Sequence, residues 1–245
     1  MKKLGSLLLV LIVFAISGCV SLNSKFDSRL DQNKAVSLTH IHIVPIEAPP
    51  LSGPDLWLML LTDLPRADNK STTLSQIAED LLNKNEIWEP TVEIAKETMR
   101  QLETINNYSV SINPEIKPVS SVKRKEKEDW PTKLRKFYNM DTSPFSYPEQ
   151  TSTGVVLEVG LLNYNIYYGD QFLVFVMMKL VDPASRSVIA NAQCSLWYYS
   201  INPVHNDSSF FTRDDGFKKN FRETIAAIVP NCIKYLGLHK NKPSI

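Results

Sequence analysis

Between residues 153 and 200 the chain reads as three successive strands, and no other feature narrows its fold as far. The stretch TGVVLEVGLLNYNIYYGD places Val155, Leu157, Val159 and Leu161 on one side of an extended backbone, because side chains along a strand alternate between its faces. QFLVFVMMKLVDPASRSVIANAQCSLWYYS supplies two more strands joined across Asp182, Pro183, Ala184, Ser185 and Arg186, a proline-containing turn that favours an antiparallel connection. Many positions of this meander are apolar on both faces, which requires helices on one side or another layer on the other. The fold class that follows is α/β in the α+β sense: a mostly antiparallel mixed sheet packed against helices, with a C-terminal helix after the meander.

That helix is visible in TRDDGFKKNFRETIAAIV, where Phe217, Phe221, Ile225 and Ile228 share one face and Asp214 and Asp215 stand near the positive N-terminal end. The aspartate pair beside Gly216 lacks the regular oxygen-ligand spacing of a calcium loop. Pro230 predicts a kink or a break, since proline removes a donor and clashes with the preceding turn. Earlier, LTHIHIVPIEAPPL alternates around Ile41 and Ile43 and reads as a strand closed by Pro49 and Pro50. DLWLMLLTDLP is too short an apolar run to distinguish a strand from a buried helical turn. STTLSQIAEDLLNKN and TVEIAKETMRQLETIN carry helical stripes, the second with Thr91 as a candidate cap, and NNYSVSI then changes to the period of a strand.

Residues 113–150 lack a period and concentrate charge and proline, so they read as a charged surface insertion or linker, with one short helix starting at Pro131. The basic tract from Lys123 to Lys136, followed by Phe137 and Tyr138, could meet anionic headgroups. Glu126, Glu128 and Asp129 interrupt it, which makes a solvated loop the stronger expectation.

The N-terminus begins MKKLGSLLLVLIVFAISGCV. Lys2 and Lys3 precede an apolar run over residues 4–16, the layout of a secretory signal. The run stops short of the roughly 20 apolar residues that a spanning helix requires. Ile16, Ser17, Gly18 and Cys19 together resemble the lipobox of bacterial lipoproteins. What that resemblance implies is cleavage after Gly18, a diacylglyceride thioether on the Cys19 sulfur and an acyl group such as palmitate on its amine. Two or more chains hold a protein stably, each buried CH₂ contributing about 0.8 kcal/mol. Val20 and Ser21 are not the aspartate that commonly retains lipoproteins in the inner membrane, so the resemblance favours the periplasmic side of an outer membrane. On this reading residues 1–18 are the signal, 19–37 a tether, and 38–245 a single domain.

Removing residues 1–18 from 245 leaves 227, and losing Lys2 and Lys3 takes 27 basic residues to 25 against 26 acidic ones. This near-neutral balance gives no support to nucleic-acid binding, which needs a basic domain or stripe. With Cys19 assigned to lipid, Cys194 and Cys232 remain as an even pair, and an oxidising compartment permits them to bond. Cys194 shares strand parity with Ala190, Ala192 and Leu196, while Cys232 falls four residues after Ile228. A bridge from helix to sheet fits that placement, as do two separate buried thiols.

Catalytic and cofactor motifs are hard to find. His40 and His42 share a strand face, but His205 and His239 are the only other histidines, so a surface strand is a better reading than a metal site. A nucleophile elbow and a glycine-rich phosphate loop are missing from the sequence, and no cofactor is expected. Aromatic residues are more informative: Tyr164, Tyr167 and Tyr168 precede Gly169, and Trp197, Tyr198 and Tyr199 end a later strand. Exposed, they form a surface for a protein or glycan partner; covered, they form a second hydrophobic layer against the N-terminal helices.

The order of anchor, early strand, helix leading into a strand, meander and final helix resembles the periplasmic domains of the TolB N-terminal and curli-secretion lipoprotein type. That resemblance implies an accessory or assembly role in the cell envelope rather than catalysis. The expected function is a lipid-anchored periplasmic protein that contacts an envelope protein or glycan through Tyr164, Tyr167, Tyr168, Trp197 and Tyr199. The alternatives are an anchored enzyme or glycan-processing factor near peptidoglycan, marked by paired acids in a cleft, and a subunit of a secretion or transport complex, marked by a long sheet edge.

Overall fold

Five strands form one mixed sheet in the computed structural model, which describes residues 28–31, 38–49, 51, 83, 88–105, 108–119, 130–148, 154–167, 171–199 and 216–238. The strands are β1 (His40–Pro45), β2 (Ser109–Ile112), β3 (Val155–Tyr167), β4 (Gln171–Val181) and β5 (Val188–Tyr199). Their order across the sheet is β2-β1-β3-β4-β5. The predicted meander is present, β4 pairing antiparallel with both β3 and β5, while β1 runs parallel to both β2 and β3. The helical stripe of residues 71–85, apart from Asn83, and the apolar run of residues 55–65 lie outside the described residues.

Helices α1 (Pro90–Ile105) and α3 (Gly216–Leu236) cover one face. Ile94, Ala95 and Leu102 of α1, with Phe217, Phe221, Ile225, Ile228 and Ile233 of α3, pack on Ile41, Ile43, Leu157, Val159, Val176 and Met178. Trp88 closes the end of this core, its ring edge-on to Phe217 at 5.7 Å and to Phe221 at 5.3 Å. Arg222 Nε donates to Glu93 Oε2 at 2.8 Å and ties the two helices together outside. Thr91 does not cap α1. Pro90 takes the first helical position, where its missing N–H costs nothing, and the buried Thr91 hydroxyl has no hydrogen-bond partner among the described residues.

Pro230 does not break α3, which continues to Leu236. Ala226 and Pro230 lie on a half-buried flank, so the carbonyl deprived of its donor is on the outer side, while Ile228, Val229, Cys232 and Ile233 bury the helix on both sides of the proline. The helix closes at Gly237, whose φ of 83° is left-handed and whose missing side chain leaves room for Arg29 and Leu30.

The opposite face is covered by the region expected to be a solvated insertion. Helix α2 (Trp130–Tyr138) and the chain to Tyr147 bury Leu134, Phe137, Tyr138 and Tyr147 against Val44, Ile46, Val156, Leu162, Met177 and Val181. Phe137 and Tyr138 are core residues and cannot meet lipid headgroups. The two-sided apolar character of β3 and β4 thus answers to cover on both faces. Residues 120–129, the most charged part of this region, lie outside the described residues.

Candidate functional site

Strict alternation from Val155 would put Tyr164 on the face opposite Leu161. A bulge intervenes: Leu161 pairs with Val176 and Asn163 with Phe175, leaving Leu162 as the extra residue. A bulged residue inverts the parity of everything after it. Tyr164 therefore turns into the helix-side core, 3% exposed, with its ring 6.2 Å from Phe221, and it leaves the predicted binding surface. The backbones of Tyr167, Gln171 and Tyr199 lie in one cross-strand row, and Trp197 lies opposite Leu173. Tyr168 lies outside the described residues.

The Cys194–Cys232 disulfide is formed, with a Cα–Cα separation of 5.6 Å. Parity on β5 and the helical phase of α3 bring the two side chains together, and the phase survives because the helix runs through Pro230. Both cysteines are buried.

His40 and His42 are half-buried on an interior strand of the sheet, β1 running between β2 and β3. His42 Nδ1 is 2.8 Å from Ser111 Oγ on β2. Burial, and then the neighbouring His40, hold the His42 imidazole below its ordinary pKa. Among the described residues no three His, Cys, Asp or Glu side chains gather as metal ligands.

The densest polar chemistry is one the sequence reading passed over. Glu158 of β3 and Lys179 of β4 are directly opposite in the register and fully buried under α2. Lys179 Nζ stands 3.3 Å from Glu158 Oε2, donates to the Phe137 carbonyl at 3.0 Å and sits 3.8 Å from the centre of the Phe137 ring. Glu158 Oε1 accepts from Tyr147 Oη at 2.7 Å and from Ser143 Oγ. The contact at Oε2 is an ion pair rather than a directed hydrogen bond. Burial lowers the Lys179 pKa against the opposing pull of Glu158. Burial first, and then the Glu158 charge, push the Tyr138 and Tyr147 phenols far above their ordinary range. A sequence signal was there, since Glu158 and Lys179 are the only charges in two adjacent apolar strands. With no exposed surface on either side chain, the pair cannot meet a substrate; it holds α2 and residues 137–147 to the sheet.

Among the described residues, the outer edge of β5 is a further candidate surface. Residues 141–143 pair with its beginning: Val188 N donates to Asp141 O at 2.8 Å, and Thr142 bridges Ser187 antiparallel. Farther along, Ser28 bridges Asn191, also antiparallel. Asn191 N donates to Ser28 O at 2.9 Å and Ser28 N donates to Asn191 Oδ1 at 2.8 Å. Leu30 N donates to Leu236 O at 3.0 Å, and the Leu30 side chain is buried in the helix-side core. Residues 28–31 thus belong to the folded body and not to a free tether.

No protein-family model matches the chain. No curated protein matches it either. Solved structures similar to it include the PelC dodecamer from Paraburkholderia phytofirmans, at 9% identity over 86% of this chain and 93% of that one with a TM-score of 0.36. The hypothetical protein CT253 from Chlamydia trachomatis is 12% identical over 82% of this chain and 94% of that one, with a TM-score of 0.36. Lipoprotein GNA1162 from Neisseria meningitidis is 15% identical over 67% of this chain and 85% of that one, with a TM-score of 0.31. At these values the chain is not assigned to any of the three.

Proposed function

We propose that this chain is a lipid-anchored periplasmic accessory or assembly protein, held on the inner leaflet of an outer membrane through Cys19. It contacts another envelope component, protein or glycan, through Tyr167, Tyr168, Trp197 and Tyr199, of which Tyr167, Trp197 and Tyr199 belong to one end of the sheet. The observation that carries this reading is the Cys194–Cys232 disulfide. Structural disulfides persist in oxidising compartments and are rare in the cytosol, and the bridge occurs in a chain that begins with a charged and apolar export-like segment ending at Cys19. With Cys194 and Cys232 occupied by each other, Cys19 is the one cysteine left for acylation.

Intact-mass measurement of the membrane-extracted protein tests the anchor. The expected mass lacks residues 1–18 and gains lipid on Cys19, and the Cys19→Ala protein moves to the soluble periplasmic fraction; an unmodified Cys19 in the membrane-extracted material sinks the reading. Photocrosslinking from positions 168 and 197 in intact cells tests the contact. Enrichment of an envelope protein or glycan is expected, and the absence of any enrichment removes the contact while leaving the anchor standing.

A further inference from the structure

We infer that His42 is a proton-operated latch on the edge strand β2: neutral, it ties β2 to β1 through Ser111, and protonated, it releases β2 and leaves β1 as the terminal strand of the sheet. β2 is the shortest strand, pairs with β1 alone among the described residues, and leaves Val110 and Ile112 only half-buried. Parallel register sets His40 opposite Ser109 and His42 opposite Ser111, so two imidazoles and two hydroxyls share one face of the sheet. It is the face that Val44 and Ile46 present to the α2 layer. His42 Nδ1 lies 2.8 Å from Ser111 Oγ, while Nε2 is buried without a partner. The ring proton therefore belongs on Nδ1, donating to Ser111, because the other tautomer would bury an N–H with nothing to accept it. A second proton has no such choice. It goes to Nε2, adding a buried donor without an acceptor and a charge beside His40.

The surrounding elements offer an imidazolium no compensation. β3 places Val156 opposite His42, with Val181 of β4 beyond it. The next charged group on that face is Glu158, opposite Val44, and its carboxylate is taken by Lys179, Ser143 and Tyr147. After β2, Lys117 lies across from Ile46 and is paired with Glu115. In the α2 layer the charges of the helix are all basic, Lys133, Arg135 and Lys136, and Asp141 is bonded through its backbone to β5, three strands away. Burial first, and then His40, hold the His42 pKa below its ordinary value of 6.5. Once β2 leaves, both ring nitrogens meet water and that ordinary value returns. The open edge then takes up the proton first, so the closed edge is complete above the ordinary value and weakens as the pH falls through it. One pH unit below that value, a single proton supplies at most about tenfold. The latch depends on neither the proposed anchor nor the aromatic contact.

Amide hydrogen exchange on the native protein at about pH 7.5 and 5.5, expressed as protection over the intrinsic rate, tests the latch. Two amides report the β1–β2 junction: Ser109 N donates to Thr39 O at 2.9 Å and Asn113 N to Ile43 O at 2.8 Å. Their protection is expected to fall severalfold at the lower pH, within the tenfold limit of one proton. The Asn191 amide, bonded to Ser28 O at the opposite edge, should keep its protection. His42→Asn puts an amide nitrogen where Nδ1 stands and cannot titrate, so it should abolish the fall. The same fall in His42→Asn overturns the latch, as does an unchanged protection of Ser109 and Asn113 in the parent, or an equal loss at Asn191. Where that variant does not fold, the parent decides alone. Protection has to level off at the pH where the native His42 imidazole resonance titrates, and a resonance that titrates at or above the ordinary histidine value overturns the inference.

Discussion

Glu158 and Lys179 show how one pair of charges organises a whole layer. Neither side chain touches water, and a buried ion pair repays its desolvation only when its geometry and further hydrogen bonds are good. Here the Phe137 carbonyl and ring complete the ammonium, and the Ser143 and Tyr147 hydroxyls complete one carboxylate oxygen. Removing the cation alone leaves a buried carboxylate uncompensated, so Lys179→Met is expected to cost about 3–5 kcal/mol. Glu158→Gln with Lys179→Met removes both charges while the amide oxygen still accepts from Ser143 and Tyr147, and it should recover at least about 2 kcal/mol of that loss. Urea unfolding of the parent, both single variants and the double variant measures the coupling. Strictly additive losses would show that the two charges do not stabilise each other.

At the scale of elements, the disulfide clamps α3 to β5 across 38 residues of sequence. Closing a loop of that size in the unfolded chain contributes about 3–4 kcal/mol. Reductant should therefore lower the unfolding free energy of the native protein by that amount, moving its urea midpoint down by that free energy divided by the denaturant slope, and leave a Cys194→Ala, Cys232→Ala variant unchanged; an unmoved native midpoint would deny the bridge its role. The elements themselves were legible where period decides. The meander, α1 and the apolar face of α3 follow from spacing alone, and so does the parity of Cys194. What spacing could not show is non-local. The insertion of β1 between β2 and β3 depends on parallel pairing across more than a hundred residues. The short helix expected from Pro131 is present as α2, but the charges around it hid its burial, so that Phe137 and Tyr138 read as surface groups when they are core. The bulge at Leu162 has no local signature among consecutive apolar residues, yet it alone decides that Tyr164 is core rather than binding surface. The candidate site was thus readable as a set of strand ends and not as a set of side-chain faces.

Across the whole molecule, β3 and β4 are shared by two cores, with helices on one side and α2 and its following segment on the other. A sheet that provides half of each core cannot lose one without exposing the other, so the described body should unfold as one unit. Residues 28–31 join the same unit, because Leu30 is buried among the helix-side residues and its amide bonds the end of α3. Leu30→Ala removes a buried side chain where residues 28–31 meet β5 and α3, and is expected to cost about 2–4 kcal/mol. The more telling expectation is that this loss reaches the far side of the sheet. Trp88 fluorescence reports the helix-side core through its contacts with Phe217 and Phe221, and fluorine resonances of labelled Tyr147 report the opposite layer. Coincident urea transitions, displaced together by Leu30→Ala, are the two-state outcome. A displaced Trp88 transition with an unmoved Tyr147 transition would make α2 and its segment a separate folding unit, free to open without disturbing the face that buries Leu30.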